Sequence, residues 1–225
     1  MEKFQCILFD LDGTLTESGP GIIHSMDYAL KQMGIQETER LKEFIGPPLN
    51  MTLSRLYHMN EEEIKQTIRL YRQWFDEHEI FNFEVYPGIL EILMECEQRG
   101  IVCAVASSKP EYYVRRMLEH AGIDSYFRLI CGTAMSDETT KGNRDNKQEV
   151  IRTVLTTFRG QQTIDDKTSV VMVGDKKNDV DGAAVNQIPC IGVGYGYGSK
   201  EELGQAQYYV KTTQELYALL FNQQA

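Results

Sequence analysis

The chain has 225 residues, 42% hydrophobic and 25% charged, a balance that suits one large domain or a core with a smaller lobe and excludes general disorder. Eighteen glycines and six prolines are too few for a collagen-like or low-complexity sequence. The formal net charge of −10 repels phosphate backbones, so broad nucleic-acid binding is not expected, and any bound anion needs a local site that overrides the global field.

The first residues, Met-Glu-Lys-Phe-Gln-Cys, lack the basic start and long apolar stretch of a signal peptide. No apolar run reaches the roughly 18 residues of a membrane span. The five cysteines, Cys6, Cys96, Cys103, Cys131 and Cys190, are odd in number, lie in apolar segments and form no C-x-x-C pair. They read as reduced core thiols, and the chain as cytoplasmic with no membrane partner.

Residues 5–9 form the first apolar run of a buried strand, ending in Phe9-Asp10-Leu11-Asp12-Gly13-Thr14-Leu15. From about 18 to 83 the pattern is helical and shows no convincing strand. Residues 21–33 and 61–78 are long amphipathic candidates, and Gly46-Pro47-Pro48 breaks the stretch between them. Val85-Tyr86-Pro87-Gly88 marks the return to the core. Helical patterns at 88–99, 111–120 and 147–158 then alternate with apolar runs at 101–106, 128–131, 169–173 and 189–193. Continuous apolar runs suit strands covered on both faces. The expectation is an α/β fold, a doubly wound parallel sheet, with an inserted all-helical lobe. Residues 1–17 and 84–225 form the core domain and 18–83 the helical one.

Three strand ends carry polar groups. In extended backbone alternate residues point the same way, so Asp10 and Asp12 can present two carboxylates to one side, with Gly13 permitting a sharp turn. Such a pair invites a divalent cation, or a division into nucleophile and acid/base. The run 169–173 leads into Gly174-Asp175-Lys176-Lys177-Asn178-Asp179. Asp175 falls at the strand's carboxyl end, where open α/β sheets place ligands, and Asp179 follows about one helical turn later. Four such aspartates make an oxygen-rich site suited to Mg²⁺. The run 101–106 ends in Ala106-Ser107-Ser108-Lys109-Pro110, where a hydroxyl and free amides leading into a helix can seat a phosphate or simply cap the helix.

Together these segments resemble the haloacid dehalogenase-like hydrolase superfamily over nearly the whole chain. The resemblance implies a Rossmann-like core with a helical cap inserted after the first motif. It implies Mg²⁺ as cofactor, held by Asp10, Asp12, Asp175 and Asp179. Asp10 would be the nucleophile that becomes an aspartyl phosphate, Asp12 the general acid/base, and Ser107, with Ser108, the seat of the phosphoryl group. The third motif of that superfamily is a lysine. Lys147 matches best, because it opens the helical pattern before the acidic strand, and Lys141 is its rival. Within the superfamily the chain looks like the phosphoglycolate phosphatase-like branch. Phe44 to Leu49 resembles the cap loop that reaches toward substrate, which makes Gly46 and Pro47 candidate substrate contacts. Tyr71-Arg72 lies in a cap helix as in that branch, and Gly192 to Ser199 follows the last core strand similarly.

The implied activity is hydrolysis of a small phosphorylated metabolite. A 5'-nucleotidase, a pyrophosphatase and a phosphomutase are alternatives within the resemblance. A phospho-receiver signalling domain is the non-enzymatic one, disfavoured by the helical insertion and by the Asp-x-Asp-Gly-Thr order. No nucleotide P-loop spacing occurs, and Gly192 to Gly198 is not one. Asp76-Glu77-His78-Glu79 reads as a solvated acidic helix face. Arg72 reads first as a solvated surface residue and second as a cation for another anion.

Overall fold

The computed structural model describes residues 4–36, 39–135, 145–165 and 169–222. Lys141 lies outside them. In chain order the elements are β1 (Cys6–Phe9), β2 (Thr16–Glu17), α1 (Gly19–Gln32), α2 (Leu49–Tyr57), α3 (Glu61–Trp74), β3 (Glu84–Val85), α4 (Ile89–Gln98), β4 (Val102–Pro110) and α5 (Glu111–Ala121). There follow β5 (Leu129–Thr133), α6 (Lys147–Gly160), β6 (Val170–Gly174), α7 (Lys177–Val185), β7 (Cys190–Val193), β8 (Tyr208–Val210) and α8 (Thr213–Phe221).

Six strands form one parallel sheet in the order β5-β4-β1-β6-β7-β8. β1 explains its continuous apolar run. Ile7 and Phe9 face one core and Cys6 and Leu8 the other, and all four are fully buried. The first core takes Ile89, Ile92 and Leu93 of α4, Val114, Met117 and Leu118 of α5, and Leu216 and Leu220 of α8. The second takes Val150, Ile151, Val154, Leu155 and Phe158 of α6 with Val180 and Ala183 of α7. The expected α/β parallel architecture is therefore present. β8, with Tyr208 and Tyr209 incompletely buried at the sheet edge, was not among the expected strands.

The chain leaves β1 on one flank through β4 to β5, then returns to the other flank with β6, β7 and β8. The order thus reverses around β1, the place where open α/β sheets bind ligands beyond the carboxyl ends of their strands. Register sharpens this: Phe9 pairs with Val105 on one side and with Val173 on the other, so the residues after these three stand side by side.

The segment between β2 and β3 is helical. It contains α1, a 3₁₀ turn at Leu41–Phe44, α2, α3 and a π turn at Phe75–Glu79. β2 and β3 pair antiparallel, Thr16 with Val85 and Glu17 with Glu84, and clamp the two ends of the insertion together. α3 begins with a capping box in which Asn60 accepts from the Glu62 and Glu63 amides and Glu63 accepts from the Asn60 amide. Gly46, at φ +100°, sits in the break between the 3₁₀ turn and α2. In the acidic run 76–79, Glu77 and His78 are exposed as expected, but Asp76 is partly buried and engaged. Asp76 accepts hydrogen bonds from Tyr113 Oη and from Arg116, both on α5, at 3.0 and 2.8 Å, which ties the insertion to the core.

All five cysteines are buried free thiols. Among the described residues, no helix is long and apolar enough to cross a membrane.

Candidate active site

Asp10, Asp175 and Asp179 meet at the carboxyl ends of β1 and β6, each offering a carboxylate oxygen within 4.8 Å of the others. All three are buried. Asp10 follows β1 directly and its amide bonds the Val173 carbonyl at 2.9 Å, so the sheet itself fixes its place. Asp179 lies on the first turn of α7 and accepts from the Lys176 amide at 3.0 Å, closing that helix start. Asp175 accepts from the Tyr197 amide at 2.7 Å and from the Thr14 hydroxyl at 3.4 Å.

Glycines make room for this packing. Gly13 has φ +87°, and a Cβ there would overlap the Asp175 carboxylate. A Cβ on Gly196 would overlap the Gly13 carbonyl, and one on Gly198 would strike the Asp175 carbonyl. The glycine-rich segment after β7 is therefore a cover for Asp175. Nothing in its spacing as a sequence announced that role.

Lys147, at the start of α6, is 3% exposed and reaches across to the cluster. Its Nζ donates to the Ala106 carbonyl at 2.9 Å and lies 2.7 Å from Asp10 Oδ1 and 2.7 Å from Asp179 Oδ1. These two ion pairs are close but off the direction of a hydrogen bond, and both carboxylate oxygens are buried without an aligned donor. Burial pushes the Asp10 carboxyl up to about 6, against the lowering charge of Lys147 and with a further push from Asp179. Asp175 is raised too, by burial first and then by the charges of Asp179 and Asp10. Lys147 is held up by the charges of Asp10 and Asp179, which outweigh its burial.

Asp12, expected among the metal ligands, stands apart from this cluster. Its carboxylate accepts from Lys109 Nζ at 3.1 and 3.0 Å and from the Ser18 hydroxyl. Its charge still reaches Asp10, but its oxygens do not join the trio, because the strand ends at Phe9 and the chain turns at Leu11 to Leu15. Lys109, which the sequence reading passed over, is 7% exposed, and its Nζ also lies 4.9 Å from the centre of the Phe75 ring in the helical insertion. Its position directly after Ser107-Ser108 was the available signal.

Ser107 is buried at the end of the regular part of β4, and its hydroxyl accepts from the Lys109 amide at 3.2 Å, leaving its proton to donate elsewhere. Ser108 Oγ is buried without a partner among the described residues. Gly46 reaches the core: a Cβ on it would lie 2.9 Å from Cγ of Lys176, the residue after Asp175. Between insertion and core lies a cavity of about 1340 Å³ whose walls include Asp12, Ser108 and Lys109 from the core and Gly46, Pro47 and Tyr71 from the insertion. Asp10, Asp175 and Asp179 do not line it.

Comparison with known proteins agrees with this geometry. A family model described as haloacid dehalogenase-like hydrolase matches residues 7–193. A 5'-nucleotidase of Pseudomonas aeruginosa is 37% identical over 203 residues, covering 89% of this chain and 87% of that protein. The tyrosine-protein kinase PtkA of Mycobacterium tuberculosis is 34% identical, covering 94% and 69%. A phosphoglycolate phosphatase of Yersinia pestis is 26% identical, covering 90% and 88%. The crystal structure of a predicted phosphatase from Clostridium acetobutylicum superposes with a TM-score of 0.88 at 35% identity, covering 98% and 99%.

Proposed function

The chain belongs to the haloacid dehalogenase-like hydrolase family, and we propose that it is a Mg²⁺-dependent phosphatase that cleaves a small-metabolite phosphomonoester through an aspartyl phosphate on Asp10. The observation that carries this reading is the buried trio of Asp10, Asp175 and Asp179 facing the single ammonium of Lys147. Three carboxyl groups face one cation in a buried site, where burial and mutual repulsion hold Asp10 and Asp175 above the usual carboxylate range, and two of the trio's oxygens lack an aligned donor. That donor set fits a divalent oxygen-loving cation, with Asp10, Asp175 and Asp179 as its side-chain ligands. When bound, such an ion supplies charge that draws a phosphoryl group toward the carboxylates.

The chain's own residues supply the rest. Lys147 neutralises part of the charge around Asp10, and the free proton of Ser107 can donate to a phosphoryl oxygen. An oxygen of Asp10 attacks phosphorus in line; the new O–P bond forms as the ester O–P bond breaks, and Asp12, in its protonated form for this half-reaction, gives that proton to the departing oxygen. Water then attacks the same phosphorus, Asp12 takes its proton, and Asp10 leaves as a carboxylate with inorganic phosphate released. Lys109 and Ser18 hold Asp12 away from the acidic trio, which separates the two aspartates into different roles. Asp12 and Lys109 line the cavity while Asp10 does not, so a phosphoryl group entering from that side needs this pair to shift.

Residues 18–83 act as a cap over this site, supported by the β2–β3 clamp at their ends and by the cavity they share with the core. Closure would exclude water and bring Gly46 and Pro47 toward the leaving group. Release of inorganic phosphate from a panel of phosphomonoesters, with Mg²⁺ and with chelator, tests the reading. Transfer of phosphate to a sugar or to a protein tyrosine without release of inorganic phosphate would replace it by a mutase or a kinase.

A further inference from the structure

One face of α3 both packs against the core and lines the cavity: Ile64, Lys65, Ile68, Tyr71, Arg72 and, one turn beyond, Phe75, with Tyr71 and Phe75 buried in the core cluster. Their spacing of three and four residues is that of a helix stripe. The apolar stripe of this helix thus serves the core and also forms one wall of the cavity, where Lys65 and Arg72 add charge. At about 1340 Å³ the cavity far exceeds what a phosphoryl group fills.

Four cationic side chains border it, and three are already matched. Lys109 pairs with Asp12 at 3.0 Å, Arg55 with Glu43 at 2.8 Å, and Lys65 with Glu61 and Glu62 at 3.4 and 3.2 Å. Arg72 is half-buried and has no carboxylate partner among the described residues. Across the same cavity the buried Ser108 hydroxyl also lacks a partner among them. A guanidinium that faces an apolar-walled cavity with no counter-ion is suited to two-pronged binding of a carboxylate or phosphate carried by a ligand.

Resting on the phosphatase reading, we infer that Arg72 is a specificity-determining residue, and that the favoured substrates are phosphomonoesters whose leaving group carries a second anion, a carboxylate or another phosphate. Arg72 binds that anion while the phosphoryl group is held at Asp10. It takes no part in the chemistry, so its removal acts mainly on KM.

The test compares wild type, Arg72→Gln and Arg72→Lys on 2-phosphoglycolate, a hexose bisphosphate and p-nitrophenyl phosphate, whose leaving group has no separate carboxylate or phosphate. Wild type is expected to prefer one of the first two, and which one identifies the anion. Arg72→Gln should lower kcat/KM for that ester by roughly 10- to 150-fold more than for p-nitrophenyl phosphate, the loss lying in KM. Arg72→Lys should recover part of it. Equal losses on all three esters, or a wild-type preference for p-nitrophenyl phosphate, would overturn the inference. Failure of wild type to hydrolyse any of the three would remove the phosphatase reading itself, and the inference with it.

Discussion

Replacing Asp10 by Asn is expected to raise the melting temperature of the metal-free protein while abolishing turnover. Asp10 is buried, and its carboxyl is pushed from 3.8 up to about 6, by burial first, so the folded state resists its ionisation. A carboxyl raised in this way favours folding below the unfolded value and loses that advantage as pH rises through the folded one. At pH 7.5 the ionised Asp10 costs the folded state on the order of 3 kcal/mol, and less at pH 5, below the raised value of the carboxyl. An amide of the same shape carries no charge but needs hydrogen bonds of its own, which leaves a net gain of about 1–3 kcal/mol at pH 7.5. For a chain of this size that is a rise of roughly 3–10 °C. Thermal denaturation in EDTA at pH 7.5 and pH 5 reads the effect, and the gap between variant and wild type should shrink at the lower pH. Saturating Mg²⁺ should narrow it at pH 7.5 by stabilising the wild type preferentially. A variant less stable than wild type in EDTA at pH 7.5, or a gap indifferent to pH, would refute the electrostatic reasoning.

Other variants separate the remaining roles. Lys147→Met leaves three buried carboxylates without their cation and should cost about 3–5 kcal/mol, measured by urea denaturation in EDTA, with Mg²⁺ restoring part of it. Asp12→Asn should lower kcat by roughly 10²–10⁴ with little change in the Mg²⁺ concentration for half-maximal activity, because its carboxylate stands outside the acidic trio. Gly13→Ala forces a Cβ onto the Asp175 carboxylate at a φ of +87°, and should raise that Mg²⁺ concentration severalfold in an activity titration.

The core strands were legible because both faces of the sheet are covered, which writes each central strand as an unbroken apolar run. The runs at 5–9, 169–173 and 189–193 fall within a residue of β1, β6 and β7. β8 was not legible, since at the sheet edge Tyr208 and Tyr209 remain partly exposed and three residues make no pattern. β2 and β3 are two residues each and owe their pairing to the ends of the insertion meeting. α7 carries Gly182 and two alanines and has a weak apolar stripe, so it was visible only through Asp179.

In the site, Asp10, Asp175, Asp179 and Lys147 were each readable at a strand or helix end, and the structure brings them together. Asp12 was placed with them on strand alternation, which lapses where the chain turns after β1, and Lys109 takes its carboxylate instead. Lys109 and the glycine cover of Asp175 needed three dimensions. Their partners lie 97 residues away in one case, and in the other the cover's Tyr197 amide bonds an Asp175 carboxylate 22 residues before it.

The covalent step is the centre of the account, and rapid acid quench with a ³²P-labelled phosphomonoester, followed by peptide mapping, tests it most directly. Label on the peptide that contains Asp10, lost on hydroxylamine treatment and absent from Asp10→Asn, is the predicted result. Multiple turnovers of phosphate release with no label on that peptide, or with label on another residue, would contradict it.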